Sequence, residues 1–383
     1  MQLKTIKMIP LACAMAFALA GTVSAQEQIV KIGHVAPTTG PDSHMGKDNE
    51  NGARMAIDDL NAKGFTIGGK KVKFELMAED DASDPKQGTA AAQKLVDAKV
   101  NGVIGHLNSG TTIPASKIYF DAGIPQISPS ATNPKYTRQG FNTAFRVCAN
   151  DGQIGGTLGR YAVQEYKAKK IAVIDDATAY GQGIAVEFTK SAKSKSADIV
   201  AMEHTTNRAT DFNAILTKIK GTHPDLIFFG GMDAVAGPML RQMKTLGINA
   251  KFMGGDGICT EEAMSRLAGD AMADGQVTCA EAGGVAVSGK KALADWKAIY
   301  KKKFGIDVEN YAPYVYDAVM TMAEAMKNAG SAEPAKYLPF LAKVKYKGVT
   351  GNIEFDQNGD MKNGAMTLYT YKRGKREEIA VMH

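Results

Sequence analysis

Short runs of β-branched and apolar residues alternate with longer amphipathic stretches, and this alternation restricts the fold more than any other feature of the sequence. Val30–Val35, Val72–Met77, Gly102–Leu107, Pro125–Ser128, Ile171–Ile174, Ile199–Glu203, Leu226–Phe229 and Lys251–Met253 read as strands. Between them lie helical periods. In Asn51–Ala62 the residues Ala53, Ala56, Ile57 and Leu60 fall at i, i+3, i+4 and i+7. A second helix is expected after Pro238, with Met239, Met243 and Leu246 on one face, the proline in its first turn and Gly247 closing it. Alternation of this kind argues for an α/β chain of parallel sheets covered by helices on both faces. Two Rossmann-like sheets fit the length, one before about residue 149 and one from about 170 to 255. Asn150-Asp151-Gly152 is a plausible crossing between them. Gly351–Gly359 followed by Met366–Tyr371 reads as a β-hairpin.

The start of the chain addresses its compartment. Lys4 and Lys7 precede an apolar run from Met8 to Ala20, and Val23-Ser24-Ala25 then places small residues three and one before a cut. This is the layout of a secretory signal peptide cleaved after Ala25, with an apolar run too short to span a bilayer. Removing 25 residues from 383 leaves 358, enough for roughly two domains. It also leaves 44 basic residues against 40 acidic ones. The basic residues are scattered, as in Lys70-Lys71 and Lys301-Lys302-Lys303, without interleaved aromatics, so no nucleic-acid partner is expected. Cys148, Cys259 and Cys279 remain after export. An oxidising compartment permits a disulfide, for which Cys259 and Cys279 are the pair nearest in sequence. No Cys-x-x-Cys or His-x-x-x-His spacing occurs, and no metal or other cofactor is expected.

In open parallel sheets, ligands sit beyond the carboxyl ends of the strands. Pro37-Thr38-Thr39-Gly40-Pro41, Asn108-Ser109-Gly110-Thr111-Thr112 and Ser128-Pro129-Ser130-Ala131-Thr132 follow strands of the first sheet. Asp175, Asp176 and Tyr180, then Gly230-Gly231-Met232-Asp233 and Gly254-Gly255-Asp256-Gly257, follow strands of the second. One half thus offers hydroxyls and helix starts, which suit a carboxylate; the other offers acids, which suit an ammonium. Together they suit a zwitterion, although capping and turn roles account for the same residue types.

Other chemistries find less support. Gly105–Thr112 has the glycine spacing of a phosphate-binding loop, but Thr111 stands where its lysine belongs. Gly181-Gln182-Gly183 lacks the third glycine of a dinucleotide motif, that position being Val186. No Gly-x-Ser-x-Gly elbow is present. A serine hydrolase would require a histidine beside Ser109 or Ser130, and strand alternation turns His106 away from Leu107.

A series of motifs runs over nearly all of the mature length: Asn51-Gly-Ala-Arg with Leu60-Asn-Ala-Lys-Gly64, Asp80-Asp-Ala-Ser-Asp-Pro-Lys-Gln87, Val103-Ile-Gly-His-Leu107 and Ile127-Ser-Pro-Ser-Ala-Thr-Asn-Pro134. The series continues through Tyr180-Gly-Gln-Gly183, Met239-Leu-Arg-Gln242, Phe252-Met-Gly254 and Phe355-Asp-Gln-Asn-Gly-Asp360. In their order and spacing these motifs carry a resemblance to the periplasmic leucine/isoleucine/valine-binding proteins of ABC importers. It implies a type I periplasmic binding fold of two lobes joined by a three-stranded hinge, residues 26–149 with 280–355 forming one lobe and 150–279 with 356–383 the other. It implies that Ser109 and Thr132 hold a ligand α-carboxylate, and that Ser130, Thr132 and Asp256 meet its α-ammonium. Tyr180 would face the ligand from the second lobe.

Three departures from the family pattern stand out. Asp256 occupies the place of a longer glutamate; Met45 and Met232 replace pocket aromatics; and the first-lobe disulfide positions hold Ser83 and Asn108. Methionine keeps the pocket apolar and changes its shape, while Asn108 brings a polar group near the ligand. The resemblance further implies a monomeric, non-enzymatic periplasmic protein whose closed form docks on a membrane permease. A relative binding an amide, urea or an aromatic acid, or a sensor without transport, keeps the same fold.

Overall fold

The computed structural model describes residues 27–362 and 364–382; the leader and its cleavage site after Ala25 lie outside the described residues. Six strands make the first sheet: β1 (Gln28–Ala36), β2 (Thr66–Ile67), β3 (Lys70–Asp80), β4 (Gly102–Gly105), β5 (Gln126–Ser128) and β6 (Ala144–Arg146), in the order β2-β3-β1-β4-β5-β6. Apart from the short antiparallel β2, its pairs are parallel. The second sheet takes β7 (Lys170–Asp175), β8 (Asp198–His204), β9 (Leu226–Gly230), β10 (Lys251–Gly254) and β11 (Val277–Glu281). After a small ladder of β12 (Tyr346–Lys347) with β13 (Asn352–Ile353), it is completed by β14 (Met366–Lys372) and β15 (Lys375–Met382), in the order β15-β14-β11-β10-β9-β7-β8. The strands are apolar because helices cover both faces: β4 and β9 are buried along their whole length.

The helices that position the site are α1 (Ser43–Ala62), α2 (Pro85–Asp97), α3 (Ser109–Asp121), α4 (Asp151–Gln164), α5 (Ala179–Ser194), α6 (Asn213–Gly221) and α7 (Asp233–Thr245). Later come α8 (Ala263–Ala268), α9 (Lys290–Phe304), α10 (Ala312–Ala329), which packs on α1, and α11 (Pro334–Leu341). The chain passes between the sheets after β6, returns after β11, and crosses again before β14. These passages touch one another: the Ala149 N–H donates to the Ala282 carbonyl (2.9 Å), and the Thr367 hydroxyl to the Gly283 carbonyl (2.9 Å). Cys259 and Cys279 are disulfide-bonded with Cα atoms 5.3 Å apart, and Cys148 is buried and free.

Two local expectations are corrected. Pro238 does not open its helix but lies inside α7, which begins at Asp233. Met232 itself has extended backbone, so the helix starts where β9 hands over, and the proline falls inside the helix, where it supplies no N–H to the i−4 carbonyl. The C-terminal hairpin is also different. Asp356-Gln357-Asn358-Gly359 closes a local turn, with Asp356 Oδ1 accepting from the Asn358 and Asp360 N–H groups, and bridges only Phe355 to Met361. Met366–Lys372 instead pairs with Lys375–Met382 across Arg373-Gly374, both at positive φ (51° and 71°), as a two-residue hairpin turn requires.

Candidate ligand-binding site

The loops after β4 and β5 build one wall. α3 starts at Ser109, directly after β4, so its first N–H groups point beyond the sheet without partners inside the helix. Ser109 is buried, and its Oγ accepts from the Asn133 N–H at 3.2 Å. After β5 the chain folds on its own hydroxyls. Ser128 Oγ accepts from the Ala131 N–H (2.9 Å) and donates to the His106 carbonyl (2.9 Å). Ser130 Oγ donates to the Leu107 carbonyl at 3.1 Å, which locks the two loops side by side.

The opposite wall comes from the second sheet. Asp256 follows β10 in a single 3-10 turn and is 1% exposed. Its Oδ1 accepts from the Tyr180 hydroxyl at 2.9 Å, and its Oδ2 from the Tyr311 hydroxyl. Tyr180 Oη in turn accepts from the Gly257 N–H at 2.9 Å, and Asn310 Nδ2 donates to the Asp256 carbonyl at 3.2 Å. Burial pushes the Asp256 carboxyl up to about 6, against the pull of the two tyrosine hydrogen bonds.

Leu107, Asn108, Ser109, Ser130, Tyr180, Met232, Asp256 and Tyr311 line a single narrow cavity with about 10 Å³ of room for the centre of a water-sized sphere. The structure therefore brings six of the eight candidate residues together. Met45 and Thr132 are fully buried and do not line it: Met45 packs in the same apolar core as Leu107, Tyr180 and Met232. Thr132 sits behind the wall, its carbonyl accepting from the Asp151 N–H (2.8 Å).

Sequence reasoning missed Tyr311 and Asp151. Tyr311 reaches Asp256 from the segment before α10, 55 positions along the chain, and no local pattern announces it. Asp151, read only as part of a crossing, is fully buried at the first position of α4, and neither carboxyl oxygen completes a hydrogen bond. Burial drives its pKa well up. The Thr132 hydroxyl beside it opposes that rise, although it stands outside good hydrogen-bond geometry, and the Asp256 charge adds to it. The histidines have other partners: His106 bonds Asp81 (3.1 Å) and Tyr119 (3.0 Å), His34 the Ile104 carbonyl (3.0 Å), and His44 Asp233 (2.9 Å).

Comparisons with known proteins agree with this architecture. The family model described as "Periplasmic binding protein" matches residues 29–376. A Leu/Ile/Val-binding protein homolog of Brucella abortus is 38% identical over 346 residues, 90% of this chain and 91% of that protein. A leucine-, isoleucine-, valine-, threonine- and alanine-binding protein of Pseudomonas aeruginosa is 35% identical over 376 residues, 98% of this chain and 99% of that one. Among solved structures, the branched-chain amino acid transporter substrate-binding protein of Streptococcus pneumoniae, in complex with isoleucine, superposes with a TM-score of 0.82 at 29% identity, covering 93% of this chain and 99% of that one. The fold is that of type I periplasmic binding proteins, and the chain belongs to the periplasmic binding protein family, among the substrate-binding proteins of branched-chain amino acid ABC transporters.

Proposed function

We propose that this chain binds a branched-chain or related aliphatic L-amino acid between two closing lobes, residues 26–149 with 280–355 and residues 150–279 with 356–383, and delivers it to a membrane permease. It works in the periplasm as a monomer, after loss of residues 1–25, and carries out no catalysis. The observation that carries this reading is the single cavity with Ser109 and Ser130 on one wall and Asp256 on the other. A zwitterion taken out of water needs a partner for each end, because a lone desolvated charge costs several kcal/mol. Ser109 and the start of α3 supply donors for the carboxylate. Asp256 supplies the counter-charge for the ammonium, with Tyr180 and Tyr311 fixing its carboxyl. Leu107 and Met232 leave an apolar surface for the side chain. The names of the relatives, which mention leucine, isoleucine and valine, point the same way.

The three neighbouring crossings suit a hinge, and ligand bound to both walls shifts the population toward the closed form. A thermal-shift panel of leucine, valine, alanine, phenylalanine, urea and acetamide tests the assignment. Leucine or valine at a hundred times its Kd should add about 2.7 kcal/mol of stability. Stabilisation by urea or acetamide alone would overturn the assignment, since neither carries an ammonium for Asp256.

A further inference from the structure

Asn108 is the N-cap of α3, yet its side chain makes no capping hydrogen bond. Asparagine is favoured at that position because its side-chain oxygen normally accepts a first-turn N–H. Here the side chain turns aside to Ser83, whose Oγ lies 3.1 Å from Asn108 Oδ1, while the same hydroxyl donates to Asp42 Oδ2 at 2.7 Å. Asp42 is buried, so this short chain fixes the rotation of the amide from behind. In front, Asn108 lines the cavity together with Ser109, Leu107 and Met232. An amide has two polar ends, one accepting and one donating. Ser83 engages one; among the described residues, the other makes no hydrogen bond to the protein.

We propose that Asn108, held by Ser83 and Asp42, makes this cavity select a side-chain hydroxyl, so that a threonine-like amino acid competes on equal or better terms with isosteric valine. The proposal rests on the amino-acid reading above and refines it. A hydroxyl both donates and accepts, so it satisfies the free end of the amide whichever end that is. A methyl group of the same size fills the same space and leaves that end unpaired. Threonine and valine differ by this one exchange, which makes their affinity ratio a direct gauge of the Asn108 contact.

Titration calorimetry of wild type, Asn108→Leu and Ser83→Ala with threonine, valine and leucine tests it. Wild type should bind threonine at least as tightly as valine. Asn108→Leu should move the threonine-to-valine ratio toward valine by about fivefold, the net worth of one neutral hydrogen bond. Ser83→Ala, which frees the amide without removing it, should move the ratio the same way by less, and decides the matter alone if the leucine variant does not fold. A ratio unmoved in the folded variants, or valine bound more tightly than threonine by wild type, overturns the proposal while leaving the amino-acid reading intact. Binding of none of the three amino acids overturns both.

Discussion

The two walls of the cavity are built on different plans. The Ser109–Ser130 wall is self-sufficient. Its hydroxyls bond backbone groups of the β4 and β5 loops, and its charge complementarity comes from the start of α3, a feature of the backbone. The Asp256 wall carries a full charge in a buried place, and its two partners come from different regions: Tyr180 from α5 over the second sheet, Tyr311 from the segment before α10, which packs on α1 over the first. A wall made of hydroxyls and helix ends can receive a ligand before anything closes over it. A wall made of a buried carboxylate is complete only when elements of both sheets meet. Under the proposed amino-acid reading, this contrast implies an order of events in which the carboxylate is captured first and the ammonium contact holds the closed form.

Breaking the charged wall should have the largest effect. Asp256→Ala leaves the ligand ammonium buried without its counter-charge, a loss of about 3–5 kcal/mol, or more than a hundredfold in affinity. Titration calorimetry reads it, and a cooperative melt shows that the variant still folds. Ser109→Ala removes one hydrogen bond to a carboxylate that retains the helix N–H groups, so about 1.5–3 kcal/mol, roughly tenfold to a hundredfold, is expected. Equal, near-wild-type affinities in both variants would refute the two-wall account.

Acidification sharpens the contrast, because Asp256 is the one carboxyl among the residues that line the cavity. Burial holds the Asp256 carboxyl up at about 6, with the tyrosine hydrogen bonds opposing, so affinity should fall about tenfold per pH unit below 6. The stability effect has the opposite sign. A carboxyl whose folded pKa is raised from 3.8 contributes stability at low pH that is lost as pH rises through about 6. Asp256→Asn should abolish that part of the pH dependence of binding, and calorimetry at pH 7, 6 and 5 measures it.

The smallest effect concerns a contact beside the walls. His44 on α1 bonds Asp233 at the start of α7 (2.9 Å), and Asp233 also accepts from the Thr260 hydroxyl (2.7 Å). Burial lowers the His44 pKa, but the hydrogen bond and charge of Asp233 outweigh it and leave it raised. The bond is therefore strongest below the ordinary value of 6.5 and is lost as pH rises through the raised one. His44→Ala should speed ligand dissociation severalfold at pH 6, measured by stopped flow, with a smaller effect at pH 8.

Much of this was legible in the sequence for a physical reason. Strand periodicity and the turn residues at strand ends are local, and parallel sheets put those ends in one place. Ser109, Ser130, Tyr180, Met232 and Asp256 all follow that rule. Tyr311 does not, because it precedes a helix and enters the site through tertiary packing of α10 on α1. Asp151 reads in the sequence as part of a crossing between the sheets, and only its burial without a partner marks it as unusual. Pro238 misled because its preference for a first turn is a weak bias that the β9–α7 junction overrides. The C-terminal hairpin misled because the Asp-Gln-Asn-Gly turn is real but closes only a single bridge.

Removing one charge at a time from the ligand, rather than the protein, tests the two-wall grip most directly. Titration calorimetry would compare L-leucine with L-leucinamide, which lacks the carboxylate, and 4-methylpentanoate, which lacks the ammonium. Both analogues should bind at least a hundredfold more weakly than leucine, and Asp256→Ala should cost leucine far more than it costs 4-methylpentanoate. If 4-methylpentanoate bound wild type as tightly as leucine, Asp256 would have no ammonium to meet, and the account would be contradicted.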